Sequence, residues 1–179
     1  MIWILIKPCE RQQEQSALAR EMLFSTLSEK LSLPKTEIKK TEDGKPYFDK
    51  VGYPAFSISH TDGAVCVAIS DGAGSVGVDI EKDSPRLTET RLTDRFFPSL
   101  TLSQNEISDI EIEAAGEISD KAPAEALFTL GEAIIKCDGR GFAAAGEAAR
   151  LSLKMRKASF KIKLSGTTYY LSVALFEEG

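Results

Sequence analysis

Histidine, cysteine and tryptophan are all scarce in this sequence, which has one, three and one of them among 179 residues. A single histidine, His60, excludes metal sites built from several histidines and leaves a Ser-His-Asp arrangement dependent on that one residue. The cysteines, Cys9, Cys66 and Cys137, are odd in number and widely spaced. This spacing indicates neither a disulfide framework nor a zinc site, so we expect a reduced, cytoplasmic setting.

Long apolar runs and an excess of positive charge are also missing. No stretch approaches the roughly 20 apolar residues that span a bilayer, so we expect no membrane partner. The initial run MIWILIKP is short and lacks leading basic residues, which predicts a strand rather than a signal peptide. The net charge of −5 argues against nucleic acid as a partner, because that needs a broad basic face.

The first part of the chain has the periodicity of a strand, a helix and then several strands. A strand is predicted over 2–7, and a helix over about 13–31, where apolar residues recur near a 3.6-residue period. A β-rich region follows, with turn residues at 61–63 and 71–74 separating three strands. We interpret these three strands as an antiparallel meander.

The second part of the chain repeats this order of elements less clearly. An acidic segment at 106–120 is interpreted as a loop or an irregular helix. Asp138-Gly139 is interpreted as the end of a helix predicted over about 123–137. The predicted helices cover about 89–97 and 123–137, and the predicted strands about 149–154, 158–164 and 168–176.

This order predicts the α+β class, with 42% hydrophobic residues to form a core. We expect two similar α+β halves within one chain, a pseudodimer, each with a helix packed on a mainly antiparallel sheet. The N-terminal half would cover 1–85 and the C-terminal half 86–179.

Asp79 and Glu81 are the first candidate site residues. They lie two apart in the strand-like sequence VGVDIE, so both side chains face the same side of the strand. Paired carboxylates of this kind are hard oxygen ligands that suit Mg²⁺. The alternative is a solvated strand edge with no ligand.

His60 and Lys45 are candidate phosphate contacts. His60 follows a strand, where its ring can donate to a ligand phosphate or be satisfied by the neighbouring backbone. Lys45 lies between Gly44 and Pro46, and the proline biases it away from helix. It can pair with a phosphate or be an ordinary charged turn residue.

Glu132 and Lys136 are four residues apart on a predicted helix and therefore share a face. An ordinary helical ion pair of this kind contributes about 0.2–0.5 kcal/mol. Gly131 precedes Glu132, and a glycine inside a helix costs about 1 kcal/mol relative to alanine. Either the close approach of another chain or a ligand, or genetic drift, would explain this glycine.

Several short motifs occur in an order that resembles the 4′-phosphopantetheinyl transferase superfamily, in its larger, pseudodimeric type. The resemblance covers about residues 17–142. Its motifs are Gly44-Lys45-Pro46, FSISH at 56–60, VGVDIE at 76–81, Arg95-Phe96-Phe97, F-x-x-x-E-A-x-x-K at 128–136, and Gly139-x-Gly141.

The resemblance implies an enzyme that uses Mg²⁺ and transfers the phosphopantetheine group of coenzyme A to a serine of an acyl or peptidyl carrier protein. It implies a metal set of Asp79, Glu81 and Glu132, with Glu132 as the general base. Catalytic roles would belong to Asp79, Glu132 and Lys136. Coenzyme A would contact Lys45, Ser59 and His60, with Lys136 on the pyrophosphate side.

The sequence departs from the family pattern in places that keep other functions open. Phe128 replaces the usual tryptophan, Gly131 replaces the usual lysine, and the N-terminal helix offers only Arg20 for the 3′-phosphate. One alternative is therefore a weakened member that binds coenzyme A without efficient transfer. Another is an interaction domain that uses the acidic segment at 106–120.

Overall fold

The computed structural model describes residues 1–72, 74–88, 90–120 and 124–178. Two helices were predicted to begin at Glu89 and at Pro123. Both of these residues lie outside the described part of the chain. In chain order, the strands and helices are β1 (Ile2–Cys9), α1 (Gln15–Leu31), β2 (Ile38–Lys40), β3 (Pro46–Phe48), β4 (Ala55–Thr61), β5 (Gly63–Ser70), β6 (Ser75–Lys82), α2 (Thr90–Phe96), β7 (Ile110–Ala114), β8 (Gly116–Ser119), α3 (Ala126–Asp138), α4 (Ala148–Ser152), β9 (Arg156–Leu164) and β10 (Thr167–Phe176).

The fold is α+β, with two four-stranded sheets at its centre. The first sheet has the order β4-β5-β1-β7, and the second has the order β6-β10-β9-β8. All neighbours are antiparallel except β1 and β7, which run parallel. The short strands β2 and β3 pair separately.

The core lies between the two sheets and under a helix on each outer face. Alternation along β1 directs Ile2, Ile4 and Ile6 towards the second sheet, whereas Trp3 and Leu5 pack under α1. On the other outer face, α3 packs its apolar side against the second sheet. The result is a stack of α1, first sheet, second sheet and α3.

The helix α1 confirms the prediction from apolar periodicity. Ala19, Met22, Leu23 and Leu27 are buried on one face, against the first sheet. The helix ends at Ser32, which has a left-handed backbone with φ of 55°. None of the helices in the described part of the chain is both long and apolar enough to cross a bilayer.

Three predictions about secondary structure were wrong. The acidic segment is not a loop or helix, because it contains β7 and β8; Ile110, Ile112 and Ala114 of β7 are partly buried and alternate with acidic residues. Residues 149–154 do not form a strand, because 148–152 form α4, where small side chains pack near α3. The meander expected from three consecutive strands is also wrong, because β4 pairs with β5 but β6 pairs with β10 instead of β5.

The strand β6 crosses to the second sheet instead of pairing with β5. It pairs with β10, while β7 joins the first sheet beside β1. Each sheet therefore contains one strand from the other side of the boundary expected at residue 85. The pseudodimer and its two halves stay predictions.

Candidate active site

A ladder of hydroxyl groups joins the edges of the two sheets where β4 and β6 run side by side. Alternate residues of β4 place three hydroxyls along this edge, and each accepts a hydrogen bond from a β6 amide. The bonds run from Val78 to Ser57 at 3.1 Å, from Ile80 to Ser59 at 3.1 Å, and from Lys82 to Thr61 at 3.2 Å. We call these three bonds the hydroxyl ladder.

Gly77 allows α3 to lie directly on β6. A Cβ atom at Gly77 would come within 2.1 Å of the Ala133 carbonyl oxygen and 2.3 Å of the Cys137 nitrogen. Any larger residue would push the helix away from the strand. Because Asp79 lies two residues along the same face of β6, the close approach brings it to Lys136 of α3.

Asp79 is 2% exposed and is held by one of its two oxygens. Its Oδ1 accepts hydrogen bonds from Lys136 Nζ at 2.7 Å and from Ser59 Oγ at 2.9 Å. Its Oδ2 is buried without a hydrogen-bond partner. Burial raises the pKa of Asp79, and the Lys136 ammonium group opposes that rise. A metal ion or a water molecule can satisfy an unpartnered buried oxygen of this kind.

Glu81 and Glu132 lie within electrostatic range of this ion pair, and we call Asp79, Glu81 and Glu132 the acidic cluster. Burial raises the pKa of both residues to about 7, and the charge of Asp79 adds to the rise in each. The pKa of Lys136 is raised: burial is the largest single influence and lowers it, but the charge and hydrogen bond of Asp79 together with the charges of Glu132 and Glu81 outweigh burial. With three carboxylates within electrostatic range of one ammonium group, the cluster has excess negative charge once both glutamates ionise.

The carboxylates of the acidic cluster are candidate ligands for a magnesium ion. Carboxylate oxygens are the ligands that Mg²⁺ prefers, and the unpartnered Oδ2 of Asp79 offers one such atom. Among the described residues, however, no three His, Cys, Asp or Glu side chains are grouped closely enough to hold a metal ion. The donor chemistry fits Mg²⁺, and the assignment of Asp79, Glu81 and Glu132 as its ligands stays a prediction.

Lys45 lies beside the end of α3, one of the elements that carry the cluster. Its Nζ donates to the Cys137 carbonyl oxygen at 2.7 Å and is hydrogen-bonded to Ser75 Oγ. Burial lowers the pKa of Lys45. The helix ends there because Gly139 adopts a left-handed backbone with φ of 96°, which confirms the predicted end.

A cavity of about 220 Å³ opens between Lys45 and Lys136. We call it the lysine cavity. Its walls come from the loop before β3, from the middle of β4, and from the end of α3 with the residues that follow. They are Asp43, Gly44, Lys45, Pro46, Phe56, Ser57, Ile58, Ile135, Lys136, Gly139 and Gly141.

His60 is not part of the lysine cavity. It is exposed on the opposite side of β4 from Ser59 and lines a separate cavity of about 420 Å³. The other lining residues there include Glu10, Gln15 and Asp62. The structure therefore brings Lys45 and Lys136 together at one cavity, and Ser59, Asp79 and Lys136 into direct contact, while His60 lies apart.

Gly131 makes room for an aromatic ring of the same chain. A Cβ atom at this position would lie 2.3 Å from the nearest ring atom of Phe97, which is 1% exposed. The same ring packs against Phe128, with centroids 5.5 Å apart. The close approach inferred from the sequence is real, but its partner is Phe97 rather than another chain or a ligand.

Sequence reasoning missed Ser57, Thr61 and Gly77; of the ladder residues it named only Ser59, as a contact of coenzyme A. The pattern Ser57-x-Ser59-x-Thr61 was a usable signal, since it lines one side of a strand with hydroxyls. Gly77 was a second signal, because an isolated glycine inside a strand often marks the close approach of another backbone. Both features determine where Asp79 lies.

Comparison with known proteins adds no assignment to this geometry. Neither a scan of protein-family models nor a search of curated proteins finds a match for the chain.

Proposed function

We propose that this chain is a magnesium-dependent 4′-phosphopantetheinyl transferase that acts on a carrier protein in the cytoplasm. The observation that carries the proposal is the buried Asp79, held through one oxygen by Lys136 and Ser59, with its second oxygen unpartnered. A cavity between two lysines lies next to it. The motif order that resembles the transferase family supports the same conclusion.

The lysine cavity suits the nucleotide end of coenzyme A. The half-buried Ile58 provides apolar surface for a base, and Lys45 and Lys136 provide positive charge for phosphates; Phe56 and Ile135 back this wall from the core, each 2% exposed. At about 220 Å³ it is smaller than the roughly 300–1,000 Å³ of sites that enclose a drug-sized ligand. It would therefore hold only part of coenzyme A and leave the pantetheine arm free to reach the carrier.

Glu132 is suited to the role of general base. With its pKa raised to about 7, it can accept the proton of the carrier serine at physiological pH. The serine oxygen attacks the β-phosphorus of coenzyme A, the bond to the bridging phosphoanhydride oxygen breaks, and adenosine 3′,5′-bisphosphate leaves. Lys136 would stabilise negative charge on the phosphates. Mg²⁺, when bound through Asp79, Glu81 and Glu132, would neutralise the pyrophosphate.

The carrier protein would meet exposed lysines near the second sheet. Carriers in the systems of this family are generally acidic, and Lys154, Lys161 and Lys163 are exposed. Two other basic residues of this stretch contribute less, since Lys157 is 6% exposed and Arg156 pairs with Glu177 at 2.9 Å.

The proposal is tested by incubating the protein with coenzyme A, Mg²⁺ and several apo carrier proteins. Intact mass spectrometry should show a gain of one phosphopantetheine group on the carrier. Asp79→Asn and omission of Mg²⁺ should abolish the gain, and an established transferase serves as the positive control. The absence of transfer to every carrier, beside a working control, would contradict transferase activity.

Gly131 favours a second function, that of a module that binds coenzyme A without transfer. The family pattern has a lysine at this position, and here the space is filled by Phe97. Calorimetry with coenzyme A and Mg²⁺ separates the two functions. Binding without transfer favours the module, and transfer excludes it.

A further inference from the structure

We propose that Ser59 is a positioning residue that acts through Asp79, and that Ser57 is the serine of β4 that faces coenzyme A. This inference rests on the proposed function and refines it, since the family resemblance implies that Ser59 contacts coenzyme A directly. The two serines lie two residues apart on the same side of β4 and are 6% and 4% exposed, for Ser57 and Ser59 respectively.

The hydrogen bonds of Ser59 leave no capacity for a ligand. A hydroxyl group has one donor and two acceptor positions. Ser59 Oγ donates to Asp79 Oδ1 at 2.9 Å and accepts from the Ile80 amide at 3.1 Å and from Lys136 Nζ at 3.2 Å. All three positions are used within the protein.

Ser57 makes the same ladder bond but has a different neighbourhood. It accepts a hydrogen bond from the Val78 amide at 3.1 Å, and it lines the lysine cavity. Ser59 is not among the described residues that line this cavity. A ligand in the cavity would therefore touch Ser57, whereas Ser59 reaches the site only through its hydrogen-bond partners Asp79 and Lys136.

Ser59 also explains how Asp79 presents its second oxygen. Two donors, Ser59 and Lys136, fix Oδ1 and thereby fix the rotation of the whole carboxylate. Oδ2 is then left unpartnered. Without the Ser59 hydroxyl the carboxylate has one anchor and can rotate, so that Oδ2 is no longer held in place for a cation. Residues that orient ligands in this way usually change metal affinity or activity by about 10- to 100-fold when they are mutated.

The test compares Ser59→Ala with Ser57→Ala, because each variant removes one ladder bond to β6. Both should lower the melting temperature, and Ser59→Ala should lower it more, because it also removes the hydrogen bonds to Asp79 and Lys136. Ser59→Ala should weaken Mn²⁺ binding, measured by calorimetry without coenzyme A, and lower kcat, each by about tenfold, with little change in the KM for coenzyme A. Ser57→Ala should instead raise the KM for coenzyme A without weakening Mn²⁺ binding.

Two further variants keep the test decisive. Ser59→Thr retains the hydroxyl and should restore Mn²⁺ affinity; if it does not fold, Ser59→Cys offers a smaller change with partial recovery. The proposal is overturned if Ser59→Ala raises the KM and leaves Mn²⁺ affinity and kcat unchanged, or if the two alanine variants behave alike.

A failure of the proposed function itself would look different, because the wild-type protein would then transfer no phosphopantetheine to any carrier. The contact between Ser59 and Asp79 remains testable in that case by a double-mutant cycle of urea unfolding midpoints. The shifts for Ser59→Ala and Asp79→Asn should be non-additive, whereas those for Ser57→Ala and Asp79→Asn should add. Additive shifts for both pairs would overturn the positioning role.

Discussion

Replacing Glu132 with glutamine should stabilise the metal-free protein at pH 8 and change it little at pH 5. The folded protein raises the pKa of Glu132 from 4.5 to about 7, so the folded state holds this proton to higher pH than the unfolded chain does. The wild-type protein therefore loses stability as the pH rises from about 4.5 through about 7. Glutamine has the size of the acid and never ionises, so the variant avoids this loss.

The size of the effect follows from the same pKa. At 1.36 kcal/mol per pKa unit, the rise corresponds to roughly 3 kcal/mol at most. Glu132 is partly exposed, and solvent and salt screen its interactions, so we expect about 1–2 kcal/mol at pH 8. At pH 5 the folded side chain is mostly neutral but the unfolded one, with a pKa of 4.5, is still mostly ionised, so about a quarter of the difference remains; it vanishes only well below pH 4.5.

Urea unfolding in EDTA at both pH values measures this difference. Glu29→Gln, at an exposed glutamate on α1, is the matched control for replacing one helical glutamate by glutamine. Excess Mg²⁺ should stabilise the wild-type protein at pH 8 more than the Glu132→Gln variant, because a ligand that binds the folded state stabilises it. An equal difference at both pH values, or a variant less stable at pH 8, would refute the placement of Glu132 beside the other carboxylates.

Two further substitutions test the packing around the site. Lys136→Met leaves the buried Asp79 without its cation, and breaking a buried pair in this way should cost about 3–5 kcal/mol of unfolding free energy at pH 8. An unchanged unfolding midpoint in urea would mean that the ion pair does not form. Gly131→Ala should lower the melting temperature, because contact with the Phe97 ring outweighs the gain of about 1 kcal/mol in helix propensity. Adding Phe97→Leu should recover part of the loss, and a single variant more stable than wild type would contradict the contact.

Local patterns predicted much of the fold. The 3.6-residue period of α1 and the strands β4, β5, β9 and β10 followed from apolar spacing and turn residues. The strands β7 and β8 were missed because their many acidic residues resemble a solvated loop. The crossing of β6 to the second sheet was also missed, since strand pairing depends on residues about 90 positions away in β10.

The site was predictable in its members but not in its contacts. Spacing alone placed Asp79 and Glu81 on one face of a strand, and Glu132 and Lys136 on one face of a helix. It favoured an ion pair within the helix, whereas Lys136 donates to Asp79 at 2.7 Å. The partner of Lys136 depends on how closely α3 approaches β6 at Gly77. The local sequence around Gly77 does not indicate which element packs against it.

The hydroxyl ladder has a consequence for solubility. The outer edges of β4 and β6 would otherwise present unpaired backbone amides and carbonyls, and such edges template strand addition between molecules. Hydroxyl groups of β4 accept hydrogen bonds from three β6 amides instead, at 3.1 to 3.2 Å. The serines and threonine that connect the sheets thus also shield β6 from aggregation with another copy of the chain.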